Sequence, residues 1–133
     1  MVLGLKAITS KKKPLDTSHL QADLIAMNTR FITDIQRKMT KYPPQKPTTY
    51  KRTGDYGRGW AGPGAVKISA EEATLINHIR YGVYVGGPNP GPSAGQRQTQ
   101  VMAEKGWISI TDAVAEVKGD YPRLVARVIV GKS

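Results

Sequence analysis

The chain contains no cysteine. Disulfides and thiolate metal sites are therefore excluded, as fits a protein made and assembled in a reducing cytosol. It also lacks a run of eighteen or more apolar residues, so no transmembrane helix is expected. Met1 to Lys13 hold only a short apolar stretch with no small-residue cleavage site after it, and do not read as a signal peptide. Histidines number two, His19 and His78, and their placement makes neither a metal site nor a triad. Acidic residues are few and scattered. Glu71 and Glu72 are adjacent, which on a strand turns them to opposite sides. Asp112 and Glu116 share a helical spacing that a solvated face explains. The glycines at Gly54, Gly57 and Gly59, and again at Gly86 and Gly87, do not lead from a strand into a helix. No Gly-Lys-Ser/Thr ending accompanies them, so the nucleotide-binding fingerprints are absent. These absences point away from an enzyme, and no cofactor or metal is implied.

What is abundant is positive charge. Twenty Lys and Arg stand against ten Asp and Glu, a formal net charge of +10. Such a balance favours nucleic acid, an anionic membrane or an acidic protein surface as a neighbour, or serves solubility alone. The lysines cluster. Lys6, Lys11, Lys12 and Lys13 suggest a basic flexible arm over residues 1–15, with a single domain over 16–133. Arg37, Lys38, Lys41, Lys46, Lys51 and Arg52 make a second basic region. A length of 133 residues suffices for one modest core.

The periodicity predicts an α+β fold: a long N-terminal amphipathic helix on a small antiparallel sheet, with C-terminal helices and extended Gly/Pro-rich loops. Leu20, Leu24, Met27, Phe31 and Ile35 recur at helical spacing between about Thr17 and Lys41, and Pro43 and Pro44 end the run. From Tyr42 to Gly64, prolines and glycines break regular structure, yet Tyr42, Tyr50, Tyr56 and Trp60 fall there. Strands are expected over 65–69, 72–79 and 80–86, or as one long bent strand over 72–85. A Gly/Pro loop follows over 86–95. Helices are expected over about 97–105 and 107–117. Residues 122–130 suit either helix or strand, and Asp120 with Pro122 tips the reading to helix.

Two segments resemble the tail-completion, or head–tail joining, minor tail proteins of lambda-like long-tailed bacteriophages. The first, Tyr50-Lys51-Arg52-Thr53-Gly54-Asp55-Tyr56-Gly57-Arg58-Gly59-Trp60, is similar to that family's Arg-Thr-Gly segment. The second, Asn77-His78-Ile79-Arg80-Tyr81-Gly82-Val83-Tyr84-Val85, is similar to its Asn/Tyr-containing strand. Here Tyr56 replaces the usual leucine, Gly82 an alanine, and Gly86 a common acidic residue. The resemblance implies a non-enzymatic virion protein of the tail or neck, assembled in the host cytoplasm as a ring, hexameric by the family's pattern. Its implied partners are copies of itself, a tail terminator or tail-tube protein, and a head-completion or stopper protein. A tail terminator or neck adaptor is the near alternative. A small basic non-specific nucleic-acid-binding protein is the alternative of another class.

The candidate subunit or neck interface comprises Arg52, Thr53, Gly54, Tyr56, Trp60, Tyr81, Tyr84, Gly86 and Gly87. Lys11, Lys12, Lys13, Lys41, Lys46 and Lys51 are candidates for facing DNA in a channel through non-specific contacts. On this reading Trp60→Ala impairs assembly more than folding. The alternative is that Trp60 caps its own core.

Overall fold

A computed structural model describes residues 2–9, 18–41, 43, 55–62, 64–79, 81–89, 96–122 and 124–131. In chain order these form β1 (Val2–Thr9), α1 (Ser18–Met39), α2 (Asp55–Gly59), β2 (Val66–Ile68), β3 (Glu72–Asn77), α3 (Gly82–Gly86), α4 (Gln100–Glu104), α5 (Ile110–Lys118) and β4 (Leu124–Gly131). The architecture is mixed helix and antiparallel sheet, with strand order β2-β3-β1-β4.

Residues 2–9 are not part of a basic arm. They form a central strand, flanked by β3 and β4, so the long helix is the second element rather than the first. Leu3, Leu5 and Ala7 alternate onto one face and are fully buried. Lys6 points to the other face, where its ammonium lies 3.1 Å from the Glu72 carboxylate. The lysine that suggested an arm is thus a cross-strand partner. The remainder of the expected arm, and Lys11, Lys12 and Lys13 with it, lies outside the described residues.

Residues 124–131 form a strand, not a helix. They pair with all eight residues of β1, from Val2↔Gly131 to Thr9↔Leu124. Val125, Val128, Ile129 and Val130 favour extended backbone, and a buried partner strand decides between the two readings. The Pro122 signal marks the entry turn instead, where the Leu124 amide donates to the Tyr121 carbonyl at 3.0 Å.

The third expected strand is also corrected. β3 ends at Asn77, and residues 82–86 are the short helix α3. The Asn77 side-chain oxygen accepts the Ile79 amide at 2.9 Å, an Asx turn that bends the chain out of the sheet.

The core lies between one sheet face and helices α1 and α5. Phe31, Ile32, Ile35 and Met39 of α1 meet Leu3, Leu5 and Leu75 of the sheet and Ile110, Ala113 and Val117 of α5. Ser109 caps α5 by accepting the Asp112 amide, satisfying one of its unpaired first-turn groups. Lys38 and Glu116 join α1 to α5 at 2.8 Å. Buried Asn28 on α1 donates to the Ser69 carbonyl at 2.7 Å, tying the helix to the β2–β3 turn. Tyr121 packs edge-on against Phe31, with centroids 5.3 Å apart, and its hydroxyl donates to Asp34 at 2.6 Å. Burial, then the bond to Asp34 and its negative charge, push this phenol up to about 12.

Candidate interface site

The two sequence segments that carry the resemblance meet in space. α2 supplies Tyr56, Gly59 and, just beyond its end, Trp60; the end of β3 supplies Asn77; α3 supplies Gly82 and Gly86. The Asn77 amide donates to the Tyr56 carbonyl at 2.9 Å, while its oxygen holds the Ile79 amide. One fully buried side chain therefore fixes both α2 and the turn into α3.

Glycine makes the approach possible. A Cβ at Gly59 would fall on the Asn77 amide group, and one at Gly86 on the Tyr56 hydroxyl. These glycines are required by close packing rather than by unusual backbone angles.

The aromatic residues turn inward. Trp60 is fully buried and Tyr56 nearly so. Tyr56 stands edge-on to Trp60 at 6.0 Å and to Trp107 at 5.5 Å. The Trp60 carbonyl accepts a bond from Gln36 of α1 at 2.8 Å. Neither Tyr56 nor Trp60 offers a face to a neighbouring subunit, so the interface reading of both is corrected: Trp60 caps its own core. Burial removes Gly86 and Gly87 as contact residues too. Aromatic side chains in a Gly/Pro-rich stretch signal packing on something; here that something is the chain's own domain.

Tyr81 and Tyr84 behave differently. At helical spacing they share one side of α3 and are 41% and 44% exposed. α4 adjoins them, because both the amide and the hydroxyl of Thr99 donate to the Tyr84 carbonyl, at 2.9 and 3.2 Å. Thr99 also caps α4, which carries Val101 at 57% exposure. Tyr81, Tyr84 and Val101 are thus exposed on two short helices joined through Thr99. A tyrosine pair of this kind provides contact area with a polar tip at small entropic cost, the chemistry of a protein-contact surface.

Gln98 was not foreseen as part of this site. Its amide donates to the carbonyls of Val85 and Trp107, at 2.9 and 2.8 Å, and its oxygen accepts from Asn89 at 3.1 Å. It thereby closes the base of the segment between α3 and α4. Nothing local marks a glutamine whose partners are distant backbone carbonyls.

Lys41 is exposed at the end of α1. Arg52, Thr53, Gly54, Lys46 and Lys51 lie outside the described residues. Among the described residues, no cluster of three or more His, Asp or Glu suits a metal ion, and no helix is long and apolar enough to cross a membrane. Comparison with protein-family models, curated proteins and solved structures finds no match for this chain.

Proposed function

We propose that this chain is a structural virion protein of a long-tailed bacteriophage, forming a ring that completes the tail and joins it to the head. The observation that carries the reading is the bond from Asn77 to the Tyr56 carbonyl. It makes one folded unit of the two segments that resemble tail-completion proteins, and so gives a physical reason for their occurring together. The solvent side of that unit is Tyr81 and Tyr84. These two form the subunit or neck contact, with Arg52, Thr53 and Gly54 as the preceding part of the same segment.

In a ring, a heterologous contact repeats until it closes. Six copies follow from the resemblance, with a tail terminator or tail-tube protein on one side and a head-completion protein on the other. The formal charge of +10 suits a lumen that passes DNA through screened, non-specific contacts. The same charge favours a second reading, a small non-specific nucleic-acid-binding protein.

The double variant Tyr81→Ala/Tyr84→Ala tests the first reading. Both side chains are exposed, so the variant folds with an unchanged circular dichroism spectrum and urea midpoint. It is expected to fail to form rings, seen by light scattering and electron microscopy, and to fail to enter virions in a complementation assay. Normal incorporation of the folded variant would reject the proposed contact. Tight DNA binding by the wild type that survives physiological salt would favour the second reading.

A further inference from the structure

The two edges of the sheet are built differently. β2 is three residues long and carries Lys67, the short and charged form of edge that resists further pairing. β4 is eight residues long and pairs without a bulge along β1. Between Leu124 and Val130 it has no proline, no lysine, and a single charge at Arg127.

The pleat shows which of its backbone groups are open. The Thr9 amide donates to the Glu71 carbonyl, so the odd-numbered residues of β1 bond toward β3 and the even-numbered ones toward β4. The register Gly4↔Ile129, Lys6↔Arg127 and Ile8↔Val125 then turns Val125, Arg127 and Ile129 toward β1. Ala126, Val128 and Val130 direct their amides and carbonyls outward, where no described residue bonds them. Their side chains lie on the helix-bearing face, only partly buried against the margin of the core.

We infer that β4 is the docking strand for β4 of a second copy, antiparallel, with Val128 opposite Val128. The register follows from the sequence. A two-fold axis through the edge, with the helices of both copies on one side, pairs even-numbered residues with even-numbered ones. Centring on Arg127 sets two guanidinium groups directly opposite each other, and like charges so placed repel. Centring on Ala126 puts Pro122, which has no amide hydrogen, opposite Val130. Centring on Val128 avoids both and, unlike centring on Ile129, which leaves Ala126 beyond the end of the partner's β4, pairs all three outward residues within the strand. It places Ala126 against Val130 on the helix-bearing face and Arg127 against Ile129 on the other, and forms about six backbone hydrogen bonds, two from each directly bonded pair. The partly exposed side chains of Ala126, Val128 and Val130 are thereby covered, and the two sheets become one. This contact is isologous and does not rest on the tail reading; it involves neither Tyr81 nor Tyr84.

The test uses the full chain. Light scattering over a concentration series of the Tyr81→Ala/Tyr84→Ala chain, which lacks the proposed ring contact, is expected to approach twice the 14.5 kDa chain mass. Amide exchange at Ala126, Val128 and Val130 is expected to be slow at high concentration and to quicken on dilution, with Val125, Arg127 and Ile129 protected throughout. In the same Tyr81→Ala/Tyr84→Ala background, Val128→Pro removes an outward amide that β1 does not use, so it is expected to keep the monomer's circular dichroism spectrum and abolish the doubled mass. A folded Val128→Pro that retains the doubled mass would overturn the inference. So would fast exchange at the three outward amides at every concentration, a result that decides the matter even if the proline variant does not fold.

Discussion

Replacing Asn77 by alanine removes two hydrogen bonds at once, those to the Tyr56 carbonyl and from the Ile79 amide, both at 2.9 Å. The side chain is fully buried, so water does not readily replace it. A buried group deprived of its partner costs about 1–3 kcal/mol. The Ile79 site is only partly buried, which puts its share at the lower end, and the expected sum is about 2–4 kcal/mol. Domains of this size hold roughly 5–15 kcal/mol in all, so the variant folds but melts about 6–15 °C lower. Urea unfolding followed by tryptophan fluorescence measures this directly, since Trp60 and Trp107 both stand against Tyr56. Asn77→Asp refines the test. The carboxylate still accepts from Ile79 but faces the Tyr56 carbonyl, and burial with that carbonyl raises its pKa in the folded state. A raised acid contributes its stability below its unfolded value of about 3.9 and loses it as pH rises through the folded value. The deficit relative to wild type is therefore small near pH 4 and large at pH 7. An Asn77→Ala stability within about 0.5 kcal/mol of wild type would refute the reasoning, as would an Asn77→Asp deficit that ignores pH.

Trp60→Ala is expected to cost about 3–5 kcal/mol, the usual range for a large buried aromatic. Trp60→Phe is expected to stay within about 1 kcal/mol, because it also deletes an indole N–H that finds no acceptor among the described residues. Stable but unassembled Trp60→Ala protein would return Trp60 to the interface. Tyr121, pushed up to about 12, binds its proton more tightly folded than unfolded. Its stabilisation is complete below its ordinary value near 10 and drains away as pH rises from there toward 12. Urea titrations at pH 9 and 11 are expected to show wild type losing more stability than Tyr121→Phe. Equal losses would sink the assignment.

The sequence made α1, α5 and β3 legible, because each keeps one clean period over its buried face; β2 falls within the expected 65–69 although none of its residues is fully buried. Phe31 and Ile35 on α1, and Ala73 and Leu75 on β3, are core residues where the spacing put them. Three elements differ from their sequence pattern for distinct physical reasons. β1 carries Lys6 and leads into a lysine run, and charge outweighed the alternation of Leu3, Leu5 and Ala7. β4 holds apolar residues that satisfy both periods, and only pairing with β1 selects the strand. The alternation of Tyr81, Val83 and Val85 in α3 points to a strand, whereas the Asx turn at Asn77 sets the backbone before that alternation acts. At the site, the two segments were visible but the direction of their side chains was not. Residue type alone does not distinguish inward Tyr56 from outward Tyr81; that depends on Gly59 and Gly86 leaving room for close packing.

The placement of β1 between β3 and β4 also bears on how the chain reaches its fold. β1, which precedes the other strands of its sheet in the chain, takes as neighbours residues 72–77 and 124–131. Pairings so distant in sequence must close large loops before they gain anything, and chains dominated by them fold slowly. On the ribosome β1 emerges with no partner, and one of its flanks stays bare until β4 has been made. The centre of the sheet is thus begun first and completed last, which makes the arrival of β4 the step that commits the chain.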